Sequence, residues 1–200
     1  MKKALMRNKK TMLAWAVLLP LQAARAQESP GPGGAIQGAF GLGFHEGRDE
    51  GGLGLLCALG YQKSLGATSR WRLNPQLVYG EFSSAGITDR RDQFYRTTSA
   101  GAALHFDVVK YRAVALTVSG GAYVTYSRGL LGTGGELQAP GAGSRYFRRV
   151  TPSAGGGVGL RVSPAKGRLA YEFQPLTFQG GPNGFFLGYA LLGLAFDLKK

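Results

Sequence analysis

Two histidines, His45 and His105, are the residues of this 200-residue chain best suited to acid–base work. Hydrolysis or acyl transfer needs a nucleophile, a base and an orienting acid within reach of one another. His105 comes nearest to that requirement. Asp107 follows it in the sequence HFDVV, on the same face if the segment is a strand, and Ser99 and Ser119 are candidate neighbours. No G-x-S-x-G elbow accompanies them. His45 stands in HEGRDEGG, which reads as a solvated loop. The lone cysteine, Cys57, lies in the apolar run LGLLCALGY and is expected to be a small buried hydrophobe. With no second cysteine, no intrachain disulfide forms. Metal and phosphate chemistry find less support. The sequence has no Cys/His cluster, and EGRDE offers too few ordered ligands for a calcium loop. The glycine strings GTGG and SAGGGVG lack the lysine of a phosphate loop. The expectation is a chain with no catalytic site, no cofactor and no metal.

The elements that must hold these residues begin with an export signal. Residues 1–10, MKKALMRNKK, form a basic region without an acid, and TMLAWAVLLPL is an apolar core. Ala24 and Ala26 then occupy the −3 and −1 positions of a small-residue cleavage site. The apolar run is too short to span a bilayer comfortably, and Pro20 interrupts it. We therefore expect residues 1–26 to be a signal peptide cleaved after Ala26, and 27–34 to be a breaker-rich leader. The signal also explains much of the formal net charge of +13. Six of those charges leave with it (Lys2, Lys3, Arg7, Lys9, Lys10 and Arg25), and the excess that remains is spread over the chain. No clustered basic helix of the kind that binds nucleic acid is present, so nucleic acid is not an expected partner.

After the leader, apolar residues alternate. In 35–44, Ile36, Phe40, Leu42 and Phe44 share one face; in 70–82 it is Trp71, Leu73, Leu77 and Tyr79; in 114–126 it is Val114, Leu116, Val118, Val124 and Tyr126. The segments 99–109, 150–162 and 168–177 alternate in the same way. A period of two is the mark of a strand with one greasy face. Two more segments, 53–63 and 185–198, are nearly continuous apolar runs whose turn signals and glycines favour strand over helix. Most of the eight run to roughly 10–13 residues, beyond the ~5–6 of soluble strands and in the range a tilted transmembrane strand needs. A backbone in lipid must satisfy its own polar groups, and an even number of strands closed on itself does so. The fold expected of 35–198 is therefore all-β: a closed antiparallel up-and-down transmembrane β-barrel of about eight strands.

Connector lengths agree with that topology. SLGATS, KYRA and SPAKG are short, whereas 45–52, 83–98, 127–149 and 178–184 are generally longer, as periplasmic turns and extracellular loops are. Aromatic residues fall near the strand ends. Tyr61, Trp71 and Tyr111 would mark the inner interface, and Phe44, Tyr79, Tyr126, Phe147 and Phe186 the outer one. Pro75, Pro152 and Pro175 lie inside expected strands and call for bulges or overhanging ends, because proline cannot donate to a ladder. The matching contexts Asn74-Pro75 and Gln174-Pro175 suggest one shared device. Polar residues on the opposite face are expected in the lumen: Arg72, Asn74, Gln76, His105, Asp107, Arg161, Arg168, Glu172 and Gln174. An eight-stranded barrel is just wide enough for side chains to fill, so these charges are expected to pair with one another.

Segments such as RWRLNPQLVYGEF, TTSAGAALHFDVV, GGAYVTYSRG and the closing GYALLGLAFDL resemble small bacterial outer-membrane β-barrels of the OmpA/OmpX-like or porin-like class, including barrels of Bacteroidetes-type bacteria. The resemblance implies a Gram-negative outer-membrane location and a monomer. It implies outer-membrane lipids and, during biogenesis, the barrel-assembly machinery as partners. Many such barrels end on an aromatic residue; here Phe196 is followed by Asp197-Leu198-Lys199-Lys200. The expected role is structural, adhesive or narrow-permeating, without catalysis. Two alternatives stand beside it: a soluble secreted or periplasmic β-barrel that binds an apolar ligand, and an outer-membrane lipid-modifying enzyme that uses His105.

Overall fold

The computed structural model describes residues 33–48, 51–66, 70–83, 93–132, 144–164 and 167–198. The expected signal peptide, with Ala24 and Ala26, lies outside the described residues, as does nearly all of the leader. Eight strands follow in order: β1 Gly34–Glu46, β2 Gly51–Leu65, β3 Trp71–Ser83, β4 Phe94–Tyr111, β5 Val114–Gly132, β6 Ser144–Val162, β7 Leu169–Gly180 and β8 Phe186–Asp197. Each pairs antiparallel with the next, and β1 closes on β8 to give a closed barrel. Closure leaves no edge strand, although the part of β6 before Ala154 has no partner on its β7 side.

The eight expected segments are the eight strands, but most run further than alternation indicated, and three of them much further at one end. β4 begins at Phe94, β5 continues to Gly132 and β6 starts at Ser144. These extensions were expected to be loop because their outward positions carry arginine. Arg96, Arg128 and Arg148 point out while Tyr95, Leu131 and Phe147 point in and are buried. Arginine interrupts the outer face there, between apolar outward residues such as Phe94, Leu130 and Tyr146, and a test for a continuous greasy outer face loses the strand. β4, β5 and β6 thus reach 18, 19 and 19 residues, well past what a bilayer needs.

The prolines are accommodated in three different ways. Pro175 sits in a bulge: the β7–β8 register jumps between Gln174 and Thr177, and Pro175 and Leu176 are both exposed. Pro152 pairs with Val124 on one side, but β7 pairing starts only at Ala154, so its other side faces no strand. Pro75 keeps its register with β4, while the β2–β3 ladder is interrupted between Gly60↔Gln76 and Lys63↔Leu73. The shared device suggested by the two similar contexts is therefore not what the chain uses. Pro75 gives up ladder contacts, whereas Pro175 shifts the register.

The outer wall is apolar, with Phe40, Leu42, Leu55, Leu59, Val124, Leu192 and Leu194 all exposed on it. Cys57 belongs to this wall. It is exposed, not buried as expected, because in β2 it is Leu56 that points inward. Inward positions between β4 and β5 include glycines where the walls are narrow. A Cβ on Gly101 would collide with the Ala122 carbonyl and the Tyr123 ring. Glycine there lets the two strands and the Tyr123 side chain share the lumen.

Candidate functional site

The lumen is filled in two layers of opposite chemistry. Toward the short-turn end lies a polar network centred on Glu172 of β7. Gln37 Nε2 donates to Glu172 Oε2 at 2.8 Å, and Gln62 Nε2 donates to both carboxylate oxygens at 2.9 and 3.0 Å. Arg72 and Arg161 each approach Glu172 Oε1 at 3.5 Å. Arg72 reaches on through Nη2 to Asp107 Oδ1 at 2.7 Å, and Thr117 Oγ1 donates to the same oxygen at 2.9 Å. Two guanidinium groups thus face two carboxylates, Arg72, Asp107 and Glu172 buried and Arg161 half-buried, and the amides of Gln37 and Gln62 donate to Glu172 as well. Charge-assisted bonds are the strong ones, and here they cross between β1, β2, β3, β4, β6 and β7. Asn74 Nδ2 extends the network to Gln37 Oε1 at 3.0 Å and to His105 Nε2 at 3.4 Å. Gln76 Nε2 donates to the Tyr123 hydroxyl at 3.1 Å.

Eight of the nine polar residues expected inside lie on the inner wall. Arg72, Asn74, His105, Asp107 and Glu172 are buried, and Gln76, Arg161 and Gln174 are half-buried. Arg168 does not join them. It precedes β7 and is exposed, with its carbonyl accepting from the Asp197 amide at 2.7 Å, so alternation carried one residue past the strand end placed it wrongly. Gln37, Gln62 and Thr117 are members that no charge marked out. Beside Arg72, His105 and Thr117 a space of about 10 Å³ remains, on the scale of a single water.

The groups that catalysis would need are engaged elsewhere. Asp107 is held by Arg72 and Thr117; Ser99 bonds Thr125 Oγ1 at 2.6 Å; Ser119 donates to the Gly157 carbonyl at 3.4 Å. His105 makes its side-chain hydrogen bond with Asn74, although Ser119 is its direct cross-strand partner.

Toward the long-loop end the lumen is apolar. Leu56, Val78, Phe82, Tyr95, Leu131, Phe147, Phe185, Leu187, Tyr189 and Leu191 form one buried cluster. Phe82 and Tyr95 stack at 5.5 Å, and Phe147 meets Tyr95 edge-on at 5.8 Å. Phe147 was expected at the outer membrane interface, but its parity in β6 turns it inward, where it is 9 % exposed. His45, expected in a solvated loop, lies in β1 and is buried in this cluster. It packs against Phe82, Tyr95 and Phe185, and its Nδ1 lies 2.9 Å from the Tyr95 hydroxyl. Phe185 enters from the β7–β8 turn, where Asn183 and Gly184 adopt positive φ of 58° and 74°. Gly184 suits that left-handed turn, and the turn drops the Phe185 ring into the mouth.

The other interface aromatics face outward. Tyr61, Trp71 and Tyr111 are exposed toward the short-turn end, and Phe44, Tyr79, Tyr126 and Phe186 stand toward the long-loop end, Phe44 stacking on Phe186 at 5.3 Å. Trp71 packs on Phe106 at 4.5 Å. No helix among the described residues is long and apolar enough to cross a membrane, a test that does not bear on strands.

A closed ring of eight antiparallel up-and-down strands, with a filled lumen and an apolar outer wall, is the fold of small outer-membrane β-barrels. Among solved structures the chain is similar to the crystal structure of Neisserial surface protein A, with a TM-score of 0.60 and 8 % identity over 82 % of this chain and 96 % of that one. It is also similar to Ail, the attachment invasion locus protein of Yersinia pestis, with a TM-score of 0.54 and 14 % identity over 84 % and 99 % of the two chains. A further Ail structure, in complex with the heparin analogue sucrose octasulfate, gives a TM-score of 0.52. No family model and no curated protein sequence matches the chain.

Proposed function

We propose that the chain is an integral outer-membrane barrel that seals its own lumen and acts through its outer surface, in a structural or adhesive role without catalysis or permeation. The observation that carries this reading is the pairing of an apolar outer wall with a lumen closed twice, by the polar network and by the aromatic cluster. A wall bearing Phe40, Leu42, Leu55 and Leu192 is unfavourable in water and favourable in hydrocarbon. The long β4, β5 and β6 strands then stand beyond the bilayer and offer a rigid sheet to an outside partner. A surface role is in keeping with the attachment named for Ail and with its heparin-analogue complex. Lipids of the outer membrane and, during biogenesis, the barrel-assembly machinery are the partners this reading implies. A soluble apolar-ligand carrier is disfavoured. Ligand sites occupy roughly 300–1,000 Å³; the lumen beside the network keeps about 10 Å³, and the space of about 720 Å³ near the long-loop end is bordered by Leu42, Phe44, Leu55 and Leu176 of the exposed outer wall, where lipid would lie.

Planar-bilayer recording tests the proposal. The refolded barrel is expected to insert without discrete conductance steps. Reproducible steps from wild-type protein would show that the two layers do not seal the lumen and would restore a permeation role.

A further inference from the structure

The short-turn rim is basic along one arc. Lys63 lies near the end of β2, Arg70 precedes β3, Lys110 lies near the end of β4 and Arg112 is at the tip of the β4–β5 turn. These strands are neighbours in the barrel, so the four charges share one side of the rim. Lys63 and Arg112 are exposed, and Arg70 and Lys110 are half-buried. No carboxylate among the described residues stands on the outside of this arc. Asp107 is buried and paired with Arg72, and Asp197 lies on β8 with its amide bonded to the Arg168 carbonyl. Arg112 holds its place at a conformational cost. Its φ of 52° lies in the left-handed region, which glycine fills without strain. Its guanidinium stands 5.3 Å over the Tyr111 ring. The turn thus carries a charged side chain where a residue with none would relieve the backbone.

The surroundings of the arc narrow what it fits. Each base stands close in sequence to an exposed aromatic residue. Tyr61 is two residues from Lys63, Trp71 follows Arg70, and Tyr111 lies between Lys110 and Arg112. Further along the same strands the outward residues Leu73, Leu104 and Leu116 are apolar and exposed. A ligand lying along this wall therefore meets cations first, then aromatic rings, then an aliphatic surface. A free phosphate would use only the cations, and a polymeric anion such as nucleic acid would have no use for the apolar wall. A phosphate joined to hydrocarbon chains uses all three. In the membrane reading the short turns face the periplasm, so the arc stands at the headgroups of the inner leaflet.

We propose that Lys63, Arg70, Lys110 and Arg112 bind the phosphate headgroups of anionic phospholipids in the periplasmic leaflet, with the acyl chains lying on Trp71 and Leu73. Guanidinium groups match phosphate through paired N–H donors. Tyrosine and tryptophan settle at headgroup level because their rings are amphipathic, and the contact with Tyr111 keeps the Arg112 charge at that level. The inference rests on the membrane reading above and adds a lipid class, a leaflet and the residues to it.

The test uses the full chain carrying Trp15→Phe, which leaves Trp71 as its sole tryptophan. The protein is refolded into vesicles of phosphatidylcholine and phosphatidylglycerol, with bromine on the acyl chains of one lipid or the other. Heat-modifiable gel migration first establishes insertion, so a protein that never inserts fails the membrane reading itself. For the inserted protein, brominated phosphatidylglycerol is expected to quench Trp71 more than its mole fraction alone gives, and brominated phosphatidylcholine less. Arg70→Gln is expected to lower that preference about fivefold, the scale of one base near a charged bilayer surface. Arg128→Gln, at the long-loop end, should leave it unchanged, and salt of about 1 M should shrink it. Arg112→Gly is expected to raise the unfolding midpoint in phosphatidylcholine alone, by relieving the left-handed turn. It should lose part of the further rise that phosphatidylglycerol gives the parent protein. Quenching of the parent protein in plain proportion to mole fraction would overturn the proposal, as would an unchanged preference in Arg70→Gln/Arg112→Gln. Loss of the preference on adding inorganic phosphate at constant ionic strength would assign the arc to a soluble anion and overturn the lipid assignment.

Discussion

Replacing Glu172 by alanine is expected to destabilise the inserted barrel by about 3–5 kcal/mol, the cost of removing one side of a buried charge network. Glu172 accepts from Gln37 and Gln62 and faces both Arg72 and Arg161. Alanine leaves Arg161 without a carboxylate and Arg72 with Asp107 alone, with only a water-sized space beside them. Glu172→Gln should cost less, because the amide oxygen still accepts from Gln62 and the arginines. Arg161→Met should cost least of the three, since Arg161 is half-buried at the edge of the network. Urea midpoints in vesicles, read from fluorescence of Trp71 on the outer wall, give the order directly. A loss below about 1 kcal/mol for Glu172→Ala, the scale of an exposed pair, would show that the network contributes little to stability.

Tyr95→Ala should have a comparable effect at the other end of the lumen. Its ring is fully buried between Phe82 and Phe147, and its hydroxyl meets His45 Nδ1. Losing a buried aromatic costs about 3–5 kcal/mol through lost burial and the cavity left behind. Tyr95→Phe keeps the ring and removes the hydroxyl. It is expected to cost about 1–2 kcal/mol, because His45, whose Nε2 already has no partner, then has no hydrogen bond to this ring. Neither variant should conduct ions in a planar bilayer, since the polar layer around Glu172 closes the lumen independently. Single-channel steps from Tyr95→Ala would mean that the aromatic cluster is the sole seal.

Much of this architecture is written in the outward face of the chain. Ile36, Trp71, Leu104, Val118 and Leu160 alternate with small or polar residues because lipid demands one apolar face and the narrow lumen accepts the other. The inner network was legible where charge marked it, at Arg72, Asp107 and Glu172. It was illegible at Gln37 and Gln62, uncharged residues whose role depends on Glu172 more than a hundred residues away. The aromatic cluster left no periodic signal, because an apolar lumen behind an apolar wall makes both faces greasy. Leu187, Tyr189 and Leu191 look the same in sequence as Leu192 and Leu194, yet the first three point in and the last two point out. Phe147 and His45 were misplaced for a related reason. Toward the long-loop end both faces are mixed, with Phe94 and Tyr146 outside beside Arg96 and Arg148, and Tyr95 and Phe147 inside beside Thr97 and Thr151, so the rule that locates strands in lipid no longer holds.

The chain carries its own probe for the claim that this wall faces lipid. Cys57 is the sole cysteine, and it lies mid-strand on the outer wall, opposite Phe40 on one side and Tyr79 on the other. A bimane fluorophore attached there, in protein refolded into phosphatidylcholine vesicles, is predicted to emit at short wavelength. It should be quenched strongly by lipids bearing a nitroxide within the acyl chains and weakly by aqueous iodide. Strong quenching by iodide with none by the nitroxide lipids would place this wall in water and contradict the membrane barrel.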